Sequence, residues 1–151
     1  MSQLPATLSA SIQQSALSIQ PLGRRRVVKS FRDLVVWQKA HTLTLNSYKT
    51  TQSFPRQELY GLTSQIRRCS ASISANIAEG CGKRSNGEFG RFLAIAAGSA
   101  SELEYHFLLA RDLEFLTEMD YRSLEQAVIE VKRMLASLLR KVDSERMLAE
   151  C

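Results

Sequence analysis

The sequence predicts an all-α protein, an antiparallel up-down-up-down four-helix bundle, and three observations carry that reading. After Pro55 no proline occurs in the remaining 96 residues, and the whole chain has only seven glycines, so little interrupts helix. Apolar residues recur at spacings of three and four, the helical period. The stretches between periodic segments are short, which makes consecutive helices antiparallel neighbours. With 151 residues, 44% of them hydrophobic and 23% charged, the chain has the balance of one soluble globular domain.

Residues 1–30 read as a disordered basic leader and residues 31–151 as the bundle. Residues 1–22 carry no charge and no sustained period. A secretory signal places positive charge before an apolar run, whereas here Arg24, Arg25, Arg26 and Lys29 follow a broken, serine-rich one. An organelle transit peptide is the alternative. Asp33 is expected to cap the first helix, whose inward row reads Leu34, Trp37, Ala40, His41, Leu45 and Tyr48. Phe54-Pro55 marks a turn. The second helix has the seam Leu59, Leu62, Ile66, Cys69, Ile73 and Ile77 and ends near Gly80-Cys81-Gly82. Ser85 and Glu88 form a capping box that opens the third helix, with the seam Phe92, Ala96, Ser99, Leu103, Phe107, Ala110 and Leu113. Thr117 and Asp120 open the fourth, where Tyr121, Leu124, Val128, Val131, Leu135, Leu138 and Val142 keep heptad spacing.

The net charge of +5 is unevenly placed. Residues 1–32 hold Arg24, Arg25, Arg26, Lys29 and Arg32 with no acid, leaving fifteen basic and fifteen acidic residues in the formally neutral remainder. In an up-down bundle, the start of the first helix, the loop between the second and third, and the end of the fourth share one pole. That pole gathers the leader with Lys83, Arg84, Arg91, Arg140, Lys141 and Arg146, and reads as net basic. The opposite pole, with Asp112, Glu114, Glu118 and Asp120, reads as acidic. Phosphate binding and solvated helix ends are both compatible with this pattern.

Cys69, Cys81 and Cys151 make neither a disulfide framework nor a zinc knuckle, so a reducing cytoplasm is expected. A di-metal bundle centre needs two Glu-x-x-His pairs. The residues three before His41 and His106 are Gln38 and Leu103, so no metal and no cofactor is expected. His41 then reads as a polar edge of the core and Trp37 as a packing anchor. A polar row runs through the two central helices: Gln65, Arg68, Ser72, Asn76 and Glu79, facing Ser99, Glu102 and His106. A hairpin centred near residue 84 sets Glu102 level with Ile66 and within a turn of Arg68, so an Arg68–Glu102 pair in a structural network is expected. No nucleophile, phosphate loop or second convergent acid accompanies Glu79 or Glu102, so the chain is not expected to be an enzyme.

Six stretches stand out together: Val36-Trp37-Gln38-Lys39-Ala40-His41, Gln65-Ile66-Arg67-Arg68, Ser74-Ala75-Asn76-Ile77-Ala78-Glu79-Gly80, Lys83-Arg84-Ser85, Gly98-Ser99 and Glu102-Leu103-Glu104. With them the chain resembles the four-helix-bundle family of 23S ribosomal RNA intervening-sequence proteins. The resemblance spans roughly residues 31–142. It implies a ring-like homopentamer similar to the accessory variability protein of diversity-generating retroelements, which binds a reverse transcriptase and RNA. From the residues themselves, Phe89, Leu93, Ala97 and Ala100, with Leu108, make a second apolar row on the third helix, expected to be an oligomer interface. The alternative is a wide core stripe serving two neighbouring helices. The expected function is thus a non-catalytic homo-oligomeric scaffold whose basic face binds RNA or a nucleic-acid enzyme; a purely protein-binding adaptor is the other reading. No membrane and no small-molecule substrate are implied.

Overall fold

The computed structural model describes residues 30–150, so Arg24, Arg25, Arg26 and Lys29 lie outside the described residues. Four helices follow one another: α1 Val35–Thr50, α2 Leu62–Cys81, α3 Asn86–Asp112 and α4 Glu118–Glu150. Among the described residues there is no strand. The arrangement is the expected bundle, and two contacts fix its direction. Phe54, between α1 and α2, meets Phe115, between α3 and α4, with ring centroids 5.6 Å apart. At the other pole the start of α3 packs on the end of α4, where a Cβ on Gly90 would stand 3.5 Å from Val142 Cγ1.

The ends of the helices follow from local chemistry. The capping box forms as expected: the Glu88 amide donates to Ser85 Oγ at 3.2 Å, and Ser85 Oγ donates to Glu88 Oε2 at 3.1 Å. Thr117 Oγ1 accepts from the Asp120 amide at 3.1 Å and opens α4. The start of α1 differs from expectation. Asp33 caps nothing; it ends a 3-10 turn, Phe31–Asp33, that is capped by Ser30, and α1 begins two residues later without a side-chain cap. The end of α3 is closed by the Phe115 amide donating back to Ala110 O at 2.8 Å, with Glu114 in left-handed backbone at φ 62°. That is a Schellman closure with a glutamate where glycine is most at ease. It turns Phe115 toward Phe54.

The seams of α2 and α4 are those expected except that Leu138 is only partly buried: Leu62, Ile66, Cys69, Ile73 and Ile77 share one core with Tyr121, Leu124, Val128, Val131, Leu135 and Val142. Leu59 lies before α2 and is exposed. The inward row of α1 is a different one, Val36, Ala40, Leu43 and Ser47, while His41, Leu45 and Tyr48 are exposed. Buried Ser47 escapes a desolvation penalty because its hydroxyl donates to Leu43 O at 2.8 Å, and buried Thr51 repeats the device onto Ser47 O. Trp37 is half-buried against the core, edge-on to Phe31 and stacked on His41 with ring centroids 5.0 Å apart.

The core row of α3 is Leu93, Ala96, Ala100, Leu103, Phe107 and Ala110. This corrects the expected oligomer row. Leu93 and Ala100 are both 0% exposed within a single chain, and Phe89 and Ala97 are half-buried against the same core. The wide stripe serves two neighbouring helices because α3 packs on both α2 and α4. Its outward row is Arg91, Ala94, Ile95, Gly98, Ser101 and Tyr105, all exposed.

Candidate functional site: the basic pole and the α2–α3 polar row

The close approach of α2 and α3 depends on small residues at their crossing. A Cβ on Gly80 would lie 2.9 Å from Phe92 Cβ and from Phe89 Cδ2. That proximity fixes the axial register, and the polar row shows it. Ser72 Oγ lies 2.9 Å from Ser99 Oγ, and Asn76 Nδ2 donates to Ser72 O at 2.8 Å and Ser72 Oγ at 3.0 Å. Glu102 stands beside Cys69, one turn along α2 from the Ile66 level expected from counting through the loop.

The expected polar set therefore divides into local groups. Arg68 donates to Gln65 Oε1, its neighbour on α2. Among the described residues no ion pair joins Arg68 to Glu102, because at the observed register Glu102 meets Cys69 and His106 instead. Ser72, Asn76 and Ser99 form the one hydrogen-bonded group of this set that crosses from α2 to α3. Glu79 pairs with Lys83 at 3.2 Å, within the end of α2 and its loop.

Cys69, Glu102 and His106 make a cluster that the sequence pattern does not assemble. Each contributes one ligand-type atom, and these atoms all lie within 4.8 Å of one another. His106 Nε2 is 3.4 Å from Glu102 Oε1, and His106 Nδ1 is buried without a hydrogen-bond partner. Burial, then the neighbouring Glu102 carboxylate, pushes the Cys69 thiol up to about 12. A thiol so firmly protonated is a poor nucleophile. The signal is present in part: Glu102 and His106 are one turn apart on a helix, but Cys69 sits on an apolar seam and reads as core until the register is known.

At the basic pole, Arg32, Lys83, Arg84, Arg91, Arg140 and Lys141 are all exposed. Lys83 is committed twice, to Glu79 and over the Phe92 ring at 4.9 Å. Among the described residues Arg84, Arg91, Arg140 and Lys141 have no ion-pair partner within 4.0 Å. A Cβ on Gly87 would lie 4.0 Å from Arg146 Cδ, so the packing of α4 on the start of α3 brings the two ends of charge together. The opposite pole is less acidic than expected. The last turn of α1 brings Lys49 there and the α1–α2 connection brings Arg56, Arg111 binds Asp112 at 2.9 Å, and Arg122 binds Glu118 at 2.9 Å.

No helix of the described residues is long and apolar enough to cross a membrane. No match is found among curated proteins. Among solved structures, a protein of unknown function from the S23 ribosomal protein family of Bacteroides thetaiotaomicron VPI-5482 is similar. It has 30% identity and a TM-score of 0.64, covering 70% of this chain and 98% of that one. Residues 32–137, from the 3-10 turn before α1 through most of α4, match the 23S rRNA-intervening sequence protein family. The chain belongs to that family, the 23S rRNA-intervening sequence proteins.

Proposed function

We propose that the protein is a non-catalytic, homo-oligomeric cytoplasmic adaptor that binds RNA through its basic pole. The observation that carries this reading is the group Arg84, Arg91, Arg140 and Lys141, contributed by the α2–α3 loop, α3 and α4. These cations are exposed at one pole, and among the described residues no acid lies within ion-pair distance of them. The unpaired cations of a surface contribute to phosphate binding through counterion release, and copies in a ring multiply the number of phosphates reached. The sequence before Arg32 carries four further cations, Arg24, Arg25, Arg26 and Lys29, and no acid. A ring of five copies, and a reverse transcriptase as the enzyme served, are what the family resemblance supports.

With Leu93 and Ala100 assigned to the core, contact between copies falls to the outward row of α3, where Ile95 and Tyr105 are exposed and Gly98 has open space around its Cα. Those apolar side chains also favour the second reading, an adaptor for protein partners only. Fluorescence anisotropy with a single-stranded RNA, repeated across a salt series, separates the two. Phosphate binding gives a linear fall of log affinity with log salt, and the double variant Arg84→Ala, Lys141→Ala reduces the slope by about 0.7 for each phosphate no longer neutralised. Salt-independent binding, or a slope unchanged in the variant, rejects the RNA reading in favour of the protein adaptor.

A further inference from the structure

We propose that Cys69, Glu102 and His106 form a site for one divalent transition-metal ion of the zinc class, held between α2 and α3 by a thiolate, a carboxylate and an imidazole. Three donor types converge from two helices, with every ligand-type atom within 4.8 Å of the others. Around zinc, bonds of about 2.0–2.3 Å put tetrahedral ligands about 3.3–3.8 Å apart, so the cluster has to contract by only about 1 Å. The side chain that can move is Glu102, half exposed and at the rim, whereas Cys69 is buried in the core and the His106 side chain is largely covered.

The chemistry of the set selects the ion. Thiolate and imidazole together favour zinc over magnesium or calcium, which take oxygen ligands. Three protein ligands leave a fourth position, on the solvent side with Glu102, for a water molecule. His106 Nε2 is the ring nitrogen 3.4 Å from Glu102 Oε1, and the other ring nitrogen, Nδ1, is buried without a hydrogen-bond partner. Binding replaces one proton: the Cys69 S–H bond gives its proton to bulk solvent, and the sulfur electron pair passes to the metal. No electron is transferred. The site lies in the α2–α3 crossing, so occupancy ties the two central helices together.

Cobalt(II), added to the full-length protein, tests the site directly. One equivalent is expected to bind and to give a thiolate-to-cobalt charge-transfer band in the near ultraviolet, which zinc then abolishes by displacement. Cys69→Ser removes the band with helical circular dichroism unchanged, and Cys81→Ser keeps it. Glu102→Gln, at an exposed position, leaves the fold intact and weakens cobalt binding at least roughly tenfold. The proposal is overturned if no thiolate band develops with folded protein, if the band persists in Cys69→Ser, or if it disappears in Cys81→Ser. Should Cys69→Ser not fold, Glu102→Gln decides alone, and unchanged affinity there is equally fatal.

Discussion

Replacing Leu93 by alanine tests which row of α3 faces inward. Leu93 is 0% exposed and belongs to the core formed with α2 and α4, whereas Ile95, two residues on, is 42% exposed on the outward row. Truncating a fully buried leucine removes its transfer free energy and leaves a cavity, together about 3 kcal/mol. For a domain of this size about 4 °C of melting temperature is lost per kcal/mol, so Leu93→Ala is expected to melt about 12 °C lower. Ile95→Ala keeps its neighbours and should cost under about 0.5 kcal/mol in the isolated chain, in line with surface substitutions. Circular dichroism melts of both variants, at two protein concentrations, give the comparison, and light scattering gives the assembly size. Leu93→Ala should lower the melt at both concentrations with the assembly size retained below the transition. Ile95→Lys should split the assembly with α-helix intact. The reasoning fails if Leu93→Ala melts with the native protein and alters only the assembly, because Leu93 would then be an interface residue.

Two further predictions concern the α2–α3 crossing. Gly80→Ala places a methyl group 2.9 Å from Phe92 Cβ, an atom fixed to the backbone of α3. Overpacking of about 2 kcal/mol, less about 1 kcal/mol from alanine's better helix propensity, leaves a net loss of about 1 kcal/mol in urea denaturation; a gain would show that the helices part freely. The thiol of Cys69, raised to about 12 from 9.0, stays protonated in the folded chain at pH values where the unfolded chain ionises. Its contribution to stability is therefore full below pH 9 and lost as pH rises toward 12, and Cys69→Ala should flatten the alkaline decline in stability. An identical decline in the variant would assign it to other groups.

Sequence is most informative where apolar spacing is strict and the opposite face polar. In α2 and α4 the three-and-four rule picks out one row, and that row is buried. In α1 the signal misleads because its buried face includes Ser47 and ends in Thr51, hydroxyls whose own helix satisfies them, while Leu45 and Tyr48 face outward. In α3 the difficulty is excess: Phe89, Phe92, Leu93, Ile95, Ala96 and Ala97 are apolar on nearly every side. Two overlapping rows are equally good by spacing, and only packing against both neighbours chooses between them. The polar row is legible residue by residue, but its partners depend on the hairpin register. Ile66 and Cys69 share one seam a turn apart, so an error of one turn exchanges an isoleucine for a thiol beside Glu102.

The modest length and composition of α1 have a consequence for how the native state opens. Its buried apolar side chains are Val36, Ala40 and Leu43 alone, the hydroxyls of Ser47 and of Thr51 just beyond it donate to their own chain turn, and its side-chain hydrogen bonds to α2 are Thr44 Oγ1 to Ser70 O at 2.8 Å and, at its end, Arg67 Nε to Thr51 Oγ1 at 2.9 Å. On the α4 side, Lys39 and Glu130 meet at 3.1 Å with both side chains about half exposed, an attachment of small worth in water. The central hairpin of α2 and α3, by contrast, interlocks through Gly80, Ser72 and Ser99. Partial unfolding should therefore begin with α1 swinging away on its connection to α2, leaving a three-helix remnant whose bared cleft is lined by isoleucine, valine and leucine. Backbone amides of α1 should exchange with deuterium ahead of those in α2 and α3, and transient stickiness of the protein should track the population of that open form.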